Sequence, residues 1–156
     1  ASMNCNLKQA GIAPDTVFGE KVTVVQPVNL YGCTIGSGTF IGPFVEIQRN
    51  ARVGDFCKVQ SHSFICELVE IGDHCFIGHG VMFINDLFSN GGPAGGDPSK
   101  WKGTKIGDHV SIGSNATILP VVICSHVVIG AGAVVTKDIK EPGIYAGNPA
   151  KKLRNI

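Results

Sequence analysis

The sequence predicts an all-β solenoid. Three observations carry the prediction: a six-residue repeat from Ile35 to Ile139, a glycine after most of its aliphatic openers, and a small or β-branched residue four places after each opener. The openers include Ile35-Gly36, Ile41-Gly42, Val53-Gly54, Ile71-Gly72, Ile77-Gly78, Ile106-Gly107, Ile112-Gly113 and Ile129-Gly130. The fourth places hold Thr39, Val45, Ala51, Cys57, Ser63, Val69, Cys75, Val81, Val110, Ala116, Val127 and Ala133. A helical period of 3.6 would drift off the aliphatic position within two units, so the units read as short strands joined by tight corners. Three units make one triangular coil, and residues eighteen apart then stack as parallel strands about 4.8 Å apart. Cys57 over Cys75 and Val53 over Ile71 satisfy that spacing, which predicts a continuous internal ladder. The glycines and the Asp or Ser after them are expected to supply corner conformations that other side chains resist.

Two interruptions break the repeat. After Phe83 the pattern stops until Ile106, and residues 84–105 are rich in Gly and Pro, which predicts a long loop leaving the prism at a corner. Phe88 and Trp101, the only tryptophan, are expected to cover a surface rather than to wave in solvent. The second interruption is a shortened unit from Ile118 to Ile123, where Pro120 belongs at a corner because it cannot donate to a ladder. The tail, residues 140–156, ends the repeat and is expected to cap the open strand edges. The whole chain, 1–156, reads as one domain.

Composition bounds the function. A net charge of +1 offers no basic stripe for nucleic acid. No apolar run approaches the roughly 18 to 20 residues that span a membrane, and the Ala-Ser-Met start is not a signal segment, so a cytoplasmic protein is expected. Cys5, Cys33, Cys57, Cys66, Cys75 and Cys124 contain no CxxC pair and read as structural free thiols, with Cys5 and Cys33 ahead of the regular run. No metal is expected. Of the five histidines, His62, His74, His109 and His126 sit three places after an opener, beside a corner, and the last three read as surface. His79 lies six residues before Asn85, and His62 falls near the same edge one coil below, so either is a candidate general base or substrate contact, within one chain or toward a neighbour.

The repeat resembles that of the hexapeptide-repeat acyltransferases over residues 17–156. The resemblance implies a left-handed parallel β-helix, a handedness the general crossover rule would not supply. The segment Gly147-Asn148-Pro149-Ala150-Lys151 is similar to the end of members that use coenzyme A. In such members the cofactor lies between subunits of a trimer. The resemblance therefore implies a homotrimer, pantetheine running past Gly113 and Ala131, and phosphates held by Lys137, Lys151, Lys152 and Arg154. Members that act on hydroxyls carry a histidine in the long loop. None stands between Asn85 and Lys105, which points to an amine, already nucleophilic when neutral.

Val59-Gln60, the run Ile77 to Asp86 and the segment Ile112 to Ile118 resemble bacterial N-acetyltransferases of nucleotide-linked 3-amino sugars. That resemblance places Asn85 at the active centre, where its amide orients the amine or polarises the thioester. Asp86 would accept a proton or hold the sugar, and Trp101 would cover sugar or nucleotide. The expected reaction is acetyl transfer from acetyl-CoA to a dTDP- or UDP-linked 3-amino deoxy sugar. The alternatives are a 4-amino sugar, an O-acetyltransferase on a sugar or amino acid, a γ-carbonic-anhydrase-like enzyme with three histidines around zinc, and a scaffold without a coenzyme A site.

Overall fold

The computed structural model describes residues 4–156; the expected domain, 1–156, begins with three residues outside that range. Three faces of two- to four-residue strands wind into a left-handed parallel β-helix of about seven turns. The first face stacks β1 (Val17–Phe18), β4 (Thr34–Ile35), β7 (Arg52–Val53), β10 (Val69–Ile71), β13 (Thr104–Ile106) and β16 (Val122–Ile123). The second stacks β2 (Thr23–Val24), β5 (Phe40–Ile41), β8 (Lys58–Val59), β11 (Phe76–Ile77), β14 (Ser111–Ile112) and β17 (Val127–Ile129), and continues into β19 (Gly143–Ala146) and β20 (Lys151–Arg154). The third stacks β3 (Asn29–Leu30), β6 (Glu46–Ile47), β9 (Phe64–Ile65), β12 (Met82–Phe83), β15 (Thr117–Ile118) and β18 (Val134–Val135). All ladders are parallel except β19 with β20. Among the described residues no helix is long and apolar enough to cross a membrane.

The core is the repeat turned inward. Every opener and every fourth-place residue named above is buried, and at the corner between the first and second faces the polar members Thr39, Cys57 and Cys75 are hydrogen-bonded from coil to coil. Thr39 Oγ1 donates to the Gly54 carbonyl at 2.8 Å and accepts from Cys57 N at 3.0 Å. Cys57 Sγ then meets Cys75 N at 3.4 Å, and Cys75 Sγ reaches the Gly107 carbonyl at 3.1 Å. Small polar side chains occupy this slot because each can satisfy a backbone group of the adjoining coil.

Three expectations are corrected. Cys33, read as ahead of the regular run, sits inside the coil, which starts at β1 as the resemblance over residues 17–156 implies: it is 1% exposed, and its carbonyl accepts from Val17 N at 2.9 Å. The loop occupies residues 84–103, since β13 resumes at Thr104, and the expected cap contains β19, a four-residue strand that extends the second face. Finally, the glycines after the openers do not take the left-handed conformation. That falls two residues later, on Phe56 (φ 52°), His62 (67°), His74 (55°), His109 (53°) and His126 (61°) among others. The opener glycines are demanded by close approach instead: a Cβ on Gly54 or Gly72 would strike the Asp carboxylate and the glycine carbonyl of the next coil.

Candidate active site

Between the third and first faces the chain leaves the coil. Val53 pairs with Ile71, eighteen residues on, but Ile71 pairs with Ile106, so one coil takes thirty-five residues and the ladder still keeps its register. The loop's neck is tied where it leaves, Lys102 N donating to the Asn85 carbonyl at 3.0 Å and Thr104 N to the Leu68 carbonyl at 3.1 Å. Asp86 folds the loop back on itself: Oδ1 accepts from Phe88 N at 3.0 Å and Oδ2 from Ala94 N at 2.7 Å. Farther on, Asp97 caps a 3-10 turn, Pro98–Lys100, accepting from Ser99 N at 3.0 Å, and Trp101 follows as the closing residue. Those bonds from Ser99 hold the Asp97 carboxyl below the usual carboxylate range.

Against this neck lies a cavity of about 380 Å³ lined by Gln48, Phe64, Cys66, Glu67, Phe83, Ile84, Asn85, Asp86, Phe88 and Trp101. The lining is mostly apolar, and its polar members are Gln48, Glu67, Asn85 and Asp86. Asn85 Nδ2 donates to the Glu67 carbonyl at 3.2 Å, which fixes the amide over the coil beneath and leaves Oδ1 without a protein partner among the described residues. One Nδ2 hydrogen is thereby committed, so the free oxygen makes Asn85 first an acceptor for an N–H. The Glu67 carboxylate likewise makes no hydrogen bond among the described residues. Gln48 is held from both ends, Nε2 donating to Glu46 Oε2 at 3.1 Å and Oε1 accepting from Glu67 N at 3.4 Å. Glu46 is anchored in turn by Asn29 Nδ2 at 2.8 Å. Burial pushes the Cys66 thiol up to about 12, so it lines the cavity as an inert small hydrophobe.

The structure brings Asn85, Asp86 and Trp101 together, with Trp101 half-buried; Phe88, expected to be covered, is 58% exposed. Glu67 and Gln48 escaped sequence reasoning, though Glu67 stands eighteen residues before Asn85, one coil directly below. His62 and His79 lie elsewhere in the chain, at the corner between the second and third faces. There they are exposed, with His62 stacked on Phe44 at 4.9 Å between ring centres. Gly113 and Ala131 share that corner. A Cβ on Gly113 would sit 2.5 Å from Ala131 N, so coil packing itself requires the glycine. Lys137 follows β18, exposed, at the loop's own corner, while Lys151, Lys152 and Arg154 line β20, where Lys152 Nζ pairs with Glu141 Oε2 at 3.3 Å. His74, His109 and His126 occupy the remaining corner, so His74 and His79 are on different edges. Among the described residues no three His, Cys, Asp or Glu side chains converge as a metal site.

Comparison with known proteins matches the coil to two family models. The bacterial transferase hexapeptide, six repeats, covers residues 32–67, and the hexapeptide repeat of succinyl-transferase covers residues 103–137. A chloramphenicol acetyltransferase of Klebsiella aerogenes is 46% identical over 52 residues, 33% of this chain and 25% of that protein. The chain spans only a quarter to a third of the curated relatives it matches, 25% to 34% of their length. Among solved structures, AntD, an N-acyltransferase from Bacillus cereus in complex with dTDP and coenzyme A, superposes with a TM-score of 0.79. It is 22% identical, over 93% of this chain and 84% of that one. PerB from Caulobacter crescentus, in complex with coenzyme A and GDP-perosamine, superposes at 0.64 and 21% identity over 92% and 56%. At these identities the two structures establish the shared fold.

Proposed function

Because the chain belongs to the hexapeptide-repeat acyltransferases, we propose that it transfers an acetyl group from acetyl-CoA to the amine of a dTDP- or UDP-linked 3-amino deoxy sugar. The observation that carries the reading is the rim of the loop cavity. An amide oxygen on Asn85 and a carboxylate on Glu67, both without protein partners among the described residues, belong to one lining that includes no His, Lys or Arg. That chemistry suits an amine, which brings N–H donors and, when protonated, a positive charge. The apolar floor of Phe64, Phe83 and Ile84 suits the methyl of a deoxy sugar, and Trp101 offers a face for the ring.

In the reaction the neutral amine attacks the thioester carbonyl carbon, a C–N bond forms, and the C–S bond breaks. Asn85 Oδ1 holds one amine N–H and aims the lone pair. Glu67 binds the ammonium form and takes its first proton; the proton lost after attack ends on the departing sulfur, giving an amide and free coenzyme A. Holding both reactants in one cleft supplies much of the rate. Within one chain the cavity and the corner bearing His79, Gly113 and Ala131 lie at opposite edges of the third face. A homotrimer would set that corner of one subunit against the cavity of the next, with pantetheine between them and Lys137, Lys151, Lys152 and Arg154 available to its phosphates.

The direct test supplies acetyl-CoA with nucleotide-linked 3-amino and 4-amino sugars and their hydroxyl counterparts, and follows thiol release. Release with a 3-amino sugar alone supports the reading. Release with the hydroxyl sugar instead replaces it by O-acetyl transfer.

A further inference from the structure

A chain of hydrogen bonds climbs from the third face to its corner with the first and ends at Asn85. Asn29 on β3 lies beside Glu46 on β6, and Asn29 Nδ2 donates to Glu46 Oε1 at 2.8 Å. Gln48 Nε2 donates to the other carboxylate oxygen, Glu46 Oε2, at 3.1 Å. Gln48 Oε1 accepts from Glu67 N, one coil higher, at 3.4 Å. The Glu67 carbonyl accepts from Asn85 Nδ2, one coil higher again, at 3.2 Å. All five residues are half-buried.

The order of donors and acceptors gives this chain one polarity. The Glu46 carboxylate only accepts, so Asn29 and Gln48 both turn NH2 groups toward it. Gln48 Oε1 is then left for its other end, where Glu67 N is a donor. The Glu67 carbonyl only accepts, so Asn85 presents Nδ2 to it and keeps Oδ1 for the amine. Glu67 is thereby held on both sides, and the next residue, Leu68, left-handed at φ 70°, has its carbonyl tied to Thr104 N at 3.1 Å. Ser37 N occupies the same place in the repeat as Glu67 N, two residues after an opener, and is answered by a carboxylate from the coil above, Asp55 Oδ1 at 2.8 Å. At the Glu67 corner the answer comes from below, from an amide that Glu46 and Asn29 orient.

We propose that Gln48 is a positioning residue for the acetyl transfer, fixing the Glu67 turn and, through it, the angle at which Asn85 Oδ1 meets the amine. Glu46 and Asn29 hold Gln48 in the orientation that this requires. The assignment rests on the role given to Asn85 under the proposed function. A reacting group has to be held within about 0.5 Å of its productive place, and a residue that supports it from outside contributes to rate more than to binding.

The side-chain amide resonances of Asn85 in the full chain without substrate, assigned by their loss in Asn85→Ala, report the coupling directly. Gln48→Met keeps the length of the side chain and drops both bonds, and Gln48→Glu turns a second carboxylate on Glu46. Each is expected to shift the Asn85 signals and to lower kcat about tenfold to 100-fold, with KM for acetyl-CoA unchanged. In the exchange that combines Glu46→Gln with Gln48→Glu, the new amide accepts from Asn29 and donates to the new carboxylate, which still accepts from Glu67 N. Signals and kcat should both return toward those of the parent. Asn85 signals that neither Gln48→Met nor Gln48→Glu moves overturn the proposal, whether or not the enzyme transfers acetyl groups. Signals that return in the exchange while kcat stays low overturn the positioning role. A parent chain silent toward every amino sugar is the separate failure of the proposed function, and the coupling of Gln48 to Asn85 is then read from the resonances alone.

Discussion

Two corners of the same coil are built from the same six-residue unit and differ in what their polar atoms do. At the corner between the first and second faces, Asp55 Oδ1 accepts from Ser37 N, Asp73 Oδ1 from Asp55 N, and Asp108 Oδ1 from Asp73 N, each at 2.8 Å, while Thr39, Cys57 and Cys75 close a second ladder inside. There the side chains answer the backbone of the neighbouring coil, and the result is stability. At the corner between the third and first faces Asn85 gives one N–H to the coil, Glu67 gives only its main chain, and a carboxylate and an amide oxygen are left over beside an apolar cavity. The difference teaches that the corner proposed as reactive is the one whose polar atoms the ladder fails to consume.

The sharpest break in that comparison is Asn85→Ala. It should lower kcat/KM for acetyl transfer by about 100-fold to 1,000-fold, the scale of losing one positioned polar contact at the reacting centre, with oligomeric state and Tm unchanged. Full activity would remove Asn85 from the chemistry. Glu67→Gln keeps the shape and the backbone contacts but loses the charge, and a loss of about 100-fold in kcat/KM is expected in steady-state assays at neutral pH. A variant that instead unfolds without losing specific activity would move Glu67 to the structural side of the comparison.

The quiet corner is tested by stability. Thr39→Val removes the acceptor of Cys57 N and should destabilise by about 1–3 kcal/mol in urea unfolding, with kcat/KM preserved. The same stability readout tests alkaline pH. Burial pushes the Cys33 thiol up to about 11 and that of Cys66 up to about 12. Both pKa values are raised above the unfolded value of 9.0, so their contribution is fully present below pH 9 and is lost as pH rises through 11 to 12, because only the unfolded thiols ionise readily. Denaturant midpoints measured from pH 8 to 11 should fall, and should fall less in Cys33→Ala than in the parent when each is compared with its own value at pH 8.

Most of the coil could be read from residue spacing, because a period of six is imposed on every unit by the same burial. Cys57 above Cys75 and Val53 beside Ile71 needed only counting. Cys33 was missed because the units before Ile35 lack the aliphatic-glycine pair, although the inward slot is filled all the same. The corner glycines were assigned the wrong reason, since a close approach between coils leaves no mark in a single unit. Asn85, Asp86 and Trp101 were singled out by resemblance and by the broken repeat; they line one cavity, and their roles stay part of the proposal. Glu67 was hidden for the opposite cause: it lies inside an unbroken unit, and only its place eighteen residues below Asn85 betrays it.

The detour at Phe83 has a consequence for how such a protein changes over time. Between Ile71 and Ile106 the contour is nearly twice that of an ordinary coil, yet the strands rejoin in register. Closing a segment of doubled length adds only about 0.6 kcal/mol. New chemistry can therefore be written into the bulge, lengthened or swapped as a cassette, while the winding on either side goes on counting to eighteen.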